Sequence, residues 1–300
     1  MKRREFIQNS GLGLGMLMLS PEISELFKNE KITTGIQLYS VREAMKSNPL
    51  ATLTALRKMG YTVVEHANYV DHKFYGWTPT EFKKVLNDLG MVMPTGHTVL
   101  RSTHWDDKTK DFNDDWKKLV DNAAFMGQKY VISPSMEKAW RNDYDTLMKV
   151  LDIFNKSGEL CAKNGMQFGY HNHEFEFSEK LNGETLWDIM NKNTDPASVS
   201  MQLDVGNMYI AGAKAKDIIA KYPGRYLNIH VKDQIAGQKE GSFESCVLGQ
   251  GILPMKEIID LAKANGANLF IIEQEAYQGK DPVSCMQENF TAMKKWKYIQ

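Results

Sequence analysis

The chain has 300 residues, 42% of them hydrophobic and 25% charged, which suits one large globular domain or two small ones. Its 37 basic and 37 acidic residues cancel and form no basic block, which argues against a nucleic-acid partner. The cysteines, Cys161, Cys246 and Cys285, are too few and too scattered for a disulfide framework, and no CxxC pair offers a zinc or redox site.

Residues 1 to 20 read MKRREFIQNSGLGLGMLMLS. Lys2-Arg3-Arg4, then Phe6-Ile7, then a Gly-rich apolar run resemble a twin-arginine export signal. The layout predicts a leader or frayed terminus over 1–30, a domain over 31–300 and a periplasmic destination. A basic terminus without that role would leave the protein cytoplasmic. The apolar part is too short for an ordinary spanning helix, and no later stretch is long enough, so no integral membrane span is expected.

From residue 33 onward one unit repeats. An amphipathic segment ends in Gly and an apolar run follows at once, as in LRKMGYTVVE, LNDLGMVMPTG, AAFMGQKYVIS, CAKNGMQFGYH and AKANGANLFIIE. Glycine there tolerates the left-handed turn that closes a helix. Leu147, Val150, Leu151, Phe154 and Cys161 share one helical face, as do Met255, Ile258, Ile259 and Ala262. Strands are predicted at 33–38, 62–66, 92–97, 129–133, 166–171, 199–204, 226–231 and 269–273. Continuous apolar strands separated by helices predict a parallel sheet buried on both faces. Eight units over about 270 residues have the size of a single (β/α)8 TIM barrel. A doubly wound open sheet is the alternative, but no GxGxxG follows the first strand.

The strands end, in order, in Gln37, Glu65, His97, Ser133, His171, Asp204, His230 and Glu273. In a barrel those ends converge on the face where active sites are built. Asp204 in MQLDVGNM, His230 in LNIHVKD and Glu273 in FIIEQEAY form a carboxylate and imidazole set without thiolate. Such donors suit Mn2+, Mg2+, Co2+ or Zn2+.

With GIQLYSVRE, YTVVEHA, FGYHNHEFEF, YPGRYLNIHVKD and VLGQGILPM, these motifs resemble the xylose isomerase-like barrel group over residue 33 to the end. That group includes sugar isomerases and epimerases, inosose dehydratases and endonuclease-IV-type enzymes. The resemblance implies one divalent ion, Mn2+ first, held by Asp204, His230, Glu273 and a ligand from the fifth strand. Many members carry Glu there, often followed by Asn-His. This chain has His171-Asn172-His173, so His171 is the expected fourth ligand, with Glu176 or His173 reaching back as alternatives.

The implied chemistry is α-proton abstraction next to a carbonyl of a sugar or keto-sugar, as in an isomerase or epimerase. Loss of the strand-five carboxylate leaves Glu273 as the clear base and keeps open β-elimination or hydration, as in inosose dehydratase and 3-keto-glycoside lyases. A sugar-binding barrel without catalysis is the alternative of another class. Lys232 shares strand parity with His230 and could serve an oxyanion or leaving oxygen, or else pair with Asp233 or Glu275. His97 is a candidate proton relay, and Glu65, Gln37 and His173 are candidate sugar contacts. Tyr39, Trp105, Trp140 and Tyr277 follow strand ends, where rings stack on sugars or serve a homodimer contact. His104-Trp105 and Arg141 lie in the longer loops after strands three and four, expected to set specificity. Gly249-Gln250-Gly251 and Lys280 offer a weak phosphate site, and Arg225 is expected to cap the segment before strand seven.

Overall fold

The computed structural model describes residues 32–299. The export-signal expectation, on 1–30, lies outside the described residues. Eight parallel strands close on themselves: β1 (Thr33–Gln37), β2 (Val63–His66), β3 (Val92–His97), β4 (Tyr130–Ser133), β5 (Gln167–His171), β6 (Val199–Asp204), β7 (Asn228–Val231) and β8 (Leu269–Ile272). Each pairs with its sequence neighbours, and β1 pairs with β8 through Thr33↔Leu269 to Ile36↔Ile272. That closure excludes the open doubly wound sheet. The largest change in strand bounds is at β7, expected from residue 226 and starting at Asn228.

The crossover helices are α1 (Pro49–Met59), α2 (Pro79–Asp88), α3 (Asp114–Met126), α4 (Tyr144–Ala162), α5 (Leu186–Asn193), α6 (Ala215–Lys221), α7 (Met255–Ala264) and α8 (Pro282–Lys295). Local chemistry explains their ends. Asn48 caps α1 ahead of Pro49, and Thr78 with Glu81 forms a capping box on α2. Gly60 and Gly127 close α1 and α3 at φ 116° and 87°, a left-handed geometry that costs glycine little. No helix among the described residues is long and apolar enough to cross a membrane.

The strands are buried on both faces, and alternation sorts the side chains. On β6, Val199, Met201 and Leu203 pack outward in the core beneath the helices. Ser200, Gln202 and Asp204 have the opposite parity and point into the barrel. Inside, Val63, Tyr130, Ile132, Leu269 and Ile271 form a separate apolar plug. Gly35 gives the plug room: a Cβ there would lie 2.8 Å from Val63 Cγ1 and 2.9 Å from Ile271 Cδ1. Above the plug the interior turns polar, toward the C-terminal ends of the strands.

Candidate metal centre and its cleft

Glu273 follows β8 directly, and its N–H still donates to Val231 O at 3.2 Å, so the strand geometry continues through it. At this end of the barrel His171, Asp204, His230 and Glu273 converge, with one potential ligand atom from each within 4.8 Å of the others. Three of these are expected from the strand ends, and His171 is the fourth candidate that the family resemblance implies. Asp204 Oδ1 caps the short helix Val205–Ile210 by accepting from Asn207 N at 2.7 Å. Asp204 Oδ2 is buried without a hydrogen bond, although Lys232 Nζ lies 3.1 Å away. A buried carboxylate oxygen lacking a donor, beside imidazole and a second carboxylate, fits a divalent cation of the Mn, Co, Mg or Zn kind.

Glu176, the alternative fourth ligand, turns to other partners. It is fully buried, accepts from Tyr170 OH at 2.5 Å and His173 N at 2.8 Å, and is absent from the converging set. Burial pushes its carboxyl up to about 8.

The supports of the histidines come from Glu65 on β2 and Gln202 on β6. Glu65 Oε1 lies 2.6 Å from His230 Nε2, 2.7 Å from Gln37 Nε2 and 3.1 Å from His97 Nε2. Glu65 Oε2 accepts from Thr95 Oγ1 at 2.6 Å and Gln202 Nε2 at 2.8 Å. A carboxylate only accepts, so the Gln202 amide must turn its NH2 to Glu65 and its oxygen away. That oxygen lies 2.7 Å from His97 Nε2 and 2.9 Å from His171 Nδ1. His171 is thereby protonated at Nδ1, which leaves Nε2 with the lone pair. Buried carboxylates and amides behind ligating imidazoles are the usual means of fixing ring tautomer and orientation.

The charges follow. Burial would raise Glu65, but the charges of His97 and His230 and their hydrogen bonds hold it well below the usual carboxylate range. Burial would lower His230, yet Glu65 and Glu273 outweigh it and lift the imidazole to about 10. Burial, with His230 and His97 adding to it, keeps His171 far below its ordinary value and hence neutral. Asp204 is lifted by burial to about 6 against the pull of Lys232, whereas Lys232 and His230 overcome burial at Glu273 and hold it low.

Several expected substrate contacts are corrected. Gln37 and Glu65 are completely buried and bonded to each other, so they brace the barrel interior and do not face a ligand. Lys232 is 1% exposed and does not line the cleft above the converging groups. It contacts Glu275 Oε1 at 2.5 Å, Glu273 Oε2 at 3.0 Å and Asp204 Oδ2 at 3.1 Å. Asp233, its other suggested partner, accepts instead from the N–H groups of Gly249 at 2.9 Å and Gly251 at 3.1 Å. The chain's own carboxylate therefore fills the loop considered for phosphate, and Lys280 pairs with Glu288. Arg225 reaches Val199 O and the Thr194 hydroxyl, tying β6 down as a structural residue.

A cleft of about 630 Å³ opens over the converging groups. His97, His171, His173 and Glu273 line its floor, Tyr39 and Glu275 one rim. Its far wall comes from the loops after β2 and β3, including Asn68, Arg101 and His104. Trp105, Trp140, Arg141 and Tyr277 do not line it. Trp105 bonds Asp107, Trp140 packs on Phe154, Arg141 pairs with Glu179 over the Phe175 ring, and Tyr277 donates to Ser40 O. Sequence reasoning passed over Gln202 and Thr95. Each lies two residues from a named strand-end residue on the same face, and that parity was the available signal.

Comparison with known proteins agrees with the barrel fold. The model of the xylose isomerase-like TIM barrel family matches residues 53–296. The chain belongs to that family. An inosose dehydratase of Bacillus anthracis is 28% identical over 166 residues, 51% of this chain and 53% of that protein. An inosose dehydratase of Clostridium beijerinckii is 26% identical over 223 residues, 64% of this chain and 72% of that protein. The chain spans about half the length of the first of these curated relatives. A solved structure described as a sugar phosphate isomerase/epimerase from Parabacteroides distasonis superposes with a TM-score of 0.75 at 26% identity, covering 90% of this chain and 100% of that one.

Proposed function

We propose that this member of the xylose isomerase-like family is a divalent-metal-dependent enzyme that removes the proton next to a carbonyl of an unphosphorylated sugar or keto-sugar. The observation that carries the reading is the convergence of His171, Asp204, His230 and Glu273 beneath one cleft, with His171 and Glu273 in its lining. These four would hold the ion, Mn2+ first. A bound divalent ion would act as a Lewis acid, polarising the carbonyl and offsetting charge that develops beside it.

The chain's own residues supply the rest. Glu273 lines the cleft and is kept ionised by Lys232 and His230, so it is in the form that accepts a proton. His173 lines the same floor, and burial lowers its imidazole, so it is neutral at neutral pH and able to relay a proton. Tyr39 offers an exposed ring at the rim for the apolar face of a sugar. Filling of the Gly249–Gly251 loop by Asp233 supports a substrate without phosphate.

Two outcomes can follow proton removal. Return of a proton to carbon gives isomerisation or epimerisation, the activity in the description of the Parabacteroides structure. Loss of a β-hydroxyl or glycosidic oxygen gives dehydration or lyase chemistry, the former being the activity in the names of the curated relatives. We favour elimination. His171 stands where a second carboxylate would serve a two-base epimerase, and no carboxylate from β5 enters the set. The test is incubation with Mn2+ and a panel of inososes, ketoses and 3-keto-glucosides in D2O, followed by NMR. A dehydrated product or released aglycone supports elimination. Deuterium at the α-carbon with all hydroxyls retained supports isomerisation. Neither, across the panel, removes the enzymatic reading and leaves a sugar-binding barrel.

A further inference from the structure

Lys232 is among the largest fully buried side chains of the protein, and it points its ammonium at the candidate metal centre. Four acceptors lie within reach of Nζ. Two belong to the converging set: Glu273 Oε2 at 3.0 Å and Asp204 Oδ2 at 3.1 Å. Two lie outside it: Glu275 Oε1 at 2.5 Å and Asn207 Oδ1 at 3.2 Å, both in hydrogen-bonding geometry. An ammonium has three N–H bonds, so four acceptors exceed what it can satisfy. The contact to Asp204 Oδ2 is one of charge alone, since that oxygen makes no hydrogen bond.

The stem is held while the tip is shared. Gly206 packs against it so closely that a Cβ there would lie 2.8 Å from Lys232 Cγ and 2.7 Å from Lys232 O. Glu275 lies two residues beyond Glu273, with a side chain 44% exposed at the cleft rim, and its N–H donates to Ser245 Oγ at 2.7 Å. Nζ lies within 3.2 Å of both pairs of acceptors at once, so either pair is in reach with the barrel as it stands.

We infer that Lys232 is an internal counter-cation that competes with a divalent ion for Asp204 and Glu273, and that Glu275 is the anion that receives it when it yields them. Lys232 and Glu275 then act as positioning residues that set the affinity of the centre. The inference rests on the metal-site reading. A unit positive charge 3.0 and 3.1 Å from two of the oxygens that would hold the ion bears heavily on the binding of a second cation, so the effect is large.

The experiment is calorimetric titration of Mn2+ into the metal-free full chain, its Lys232→Met variant and its Glu275→Gln variant. K232M should bind Mn2+ at least about tenfold more tightly than the wild type. E275Q deprives the lysine of its alternative anion and should bind several-fold more weakly. Wild-type binding with an unchanged or weaker constant in folded K232M overturns the inference and leaves the metal site standing. If K232M does not fold, an unchanged or tighter constant in E275Q overturns it. No heat of binding in wild type and K232M alike removes the metal site itself, and the inference with it.

Discussion

The two halves of the barrel meet the cleft in different ways. β5 to β8 end in His171, Asp204, His230 and Glu273, and all four turn toward one point. β1 to β4 carry Gln37, Glu65, His97 and Ser133 at or next to their ends, and of these only His97 lines the cleft. Gln37 and Glu65 are spent inside the barrel, and Ser133 ties down the next loop by accepting from Leu100 N and donating to Ser135 O. Convergence at strand ends is common to both halves. What separates them is whether a side chain's polar atoms are already satisfied by its neighbours. Glu65 from the first half and Gln202 from the second hold the histidines in place, and Asp204 Oδ2 in the second half is left without a hydrogen bond.

That division can be broken most directly at Asp204. Asp204→Asn keeps a cap for the following helix but removes a ligand charge, and Mn2+ affinity should fall by at least about 100-fold by calorimetry. His97→Ala, in the other half, should retain binding. Equal loss in both would erase the distinction between the halves.

Glu65→Gln tests the supporting role. It leaves the ligands untouched but removes the charge behind His230 Nε2, and Mn2+ affinity should drop by about 10- to 100-fold. Metal-free stability should fall by about 3 kcal/mol in urea unfolding, because a buried charged pair is broken on one side. Wild-type affinity in E65Q would show that the interior carboxylate does nothing for the centre.

Glu176 sharpens the comparison from within β5's own loop. Its folded-state carboxyl is raised to about 8 from 4.5, so the folded state holds the proton more tightly than the unfolded chain. The protonated form is the stable one, and stability should decline as pH rises from about 4.5 through 8, at up to about 1.4 kcal/mol per pH unit. Glu176→Gln mimics that form. Its unfolding free energy should lose this decline while its Mn2+ affinity stays at the wild-type value. A decline as steep as the wild type's would assign the pH dependence to other groups.

The smallest effect is expected at Arg141. Its ion pair with Glu179 lies away from the cleft, so Arg141→Ala should cost about 1 kcal/mol or less and leave Mn2+ binding unchanged. A large rise in KM for any substrate found would return Arg141 to the binding site.

The amino-acid sequence by itself determined the alternation of helix and strand, the barrel, and the residues that cap each strand. These depend on local period and on side-chain parity, which adjacent residues carry. Asp204, His230 and Glu273 were legible as candidate ligands for the same reason, since strand ends in a parallel barrel gather on one face, and His171 was added through the family resemblance. Tertiary structure alone decided which polar residues remained free. Gln202 meets Glu65 across 137 residues and His230 meets it across 165, and no spacing along the chain encodes such encounters. Asp233 filling the Gly249–Gly251 loop, Glu176 turned to Tyr170, and Lys232 held among three carboxylates were settled in the same way. The capacity of a polar atom to bind a ligand is what remains after its neighbours in space have been satisfied, and those neighbours are known only once the barrel has closed.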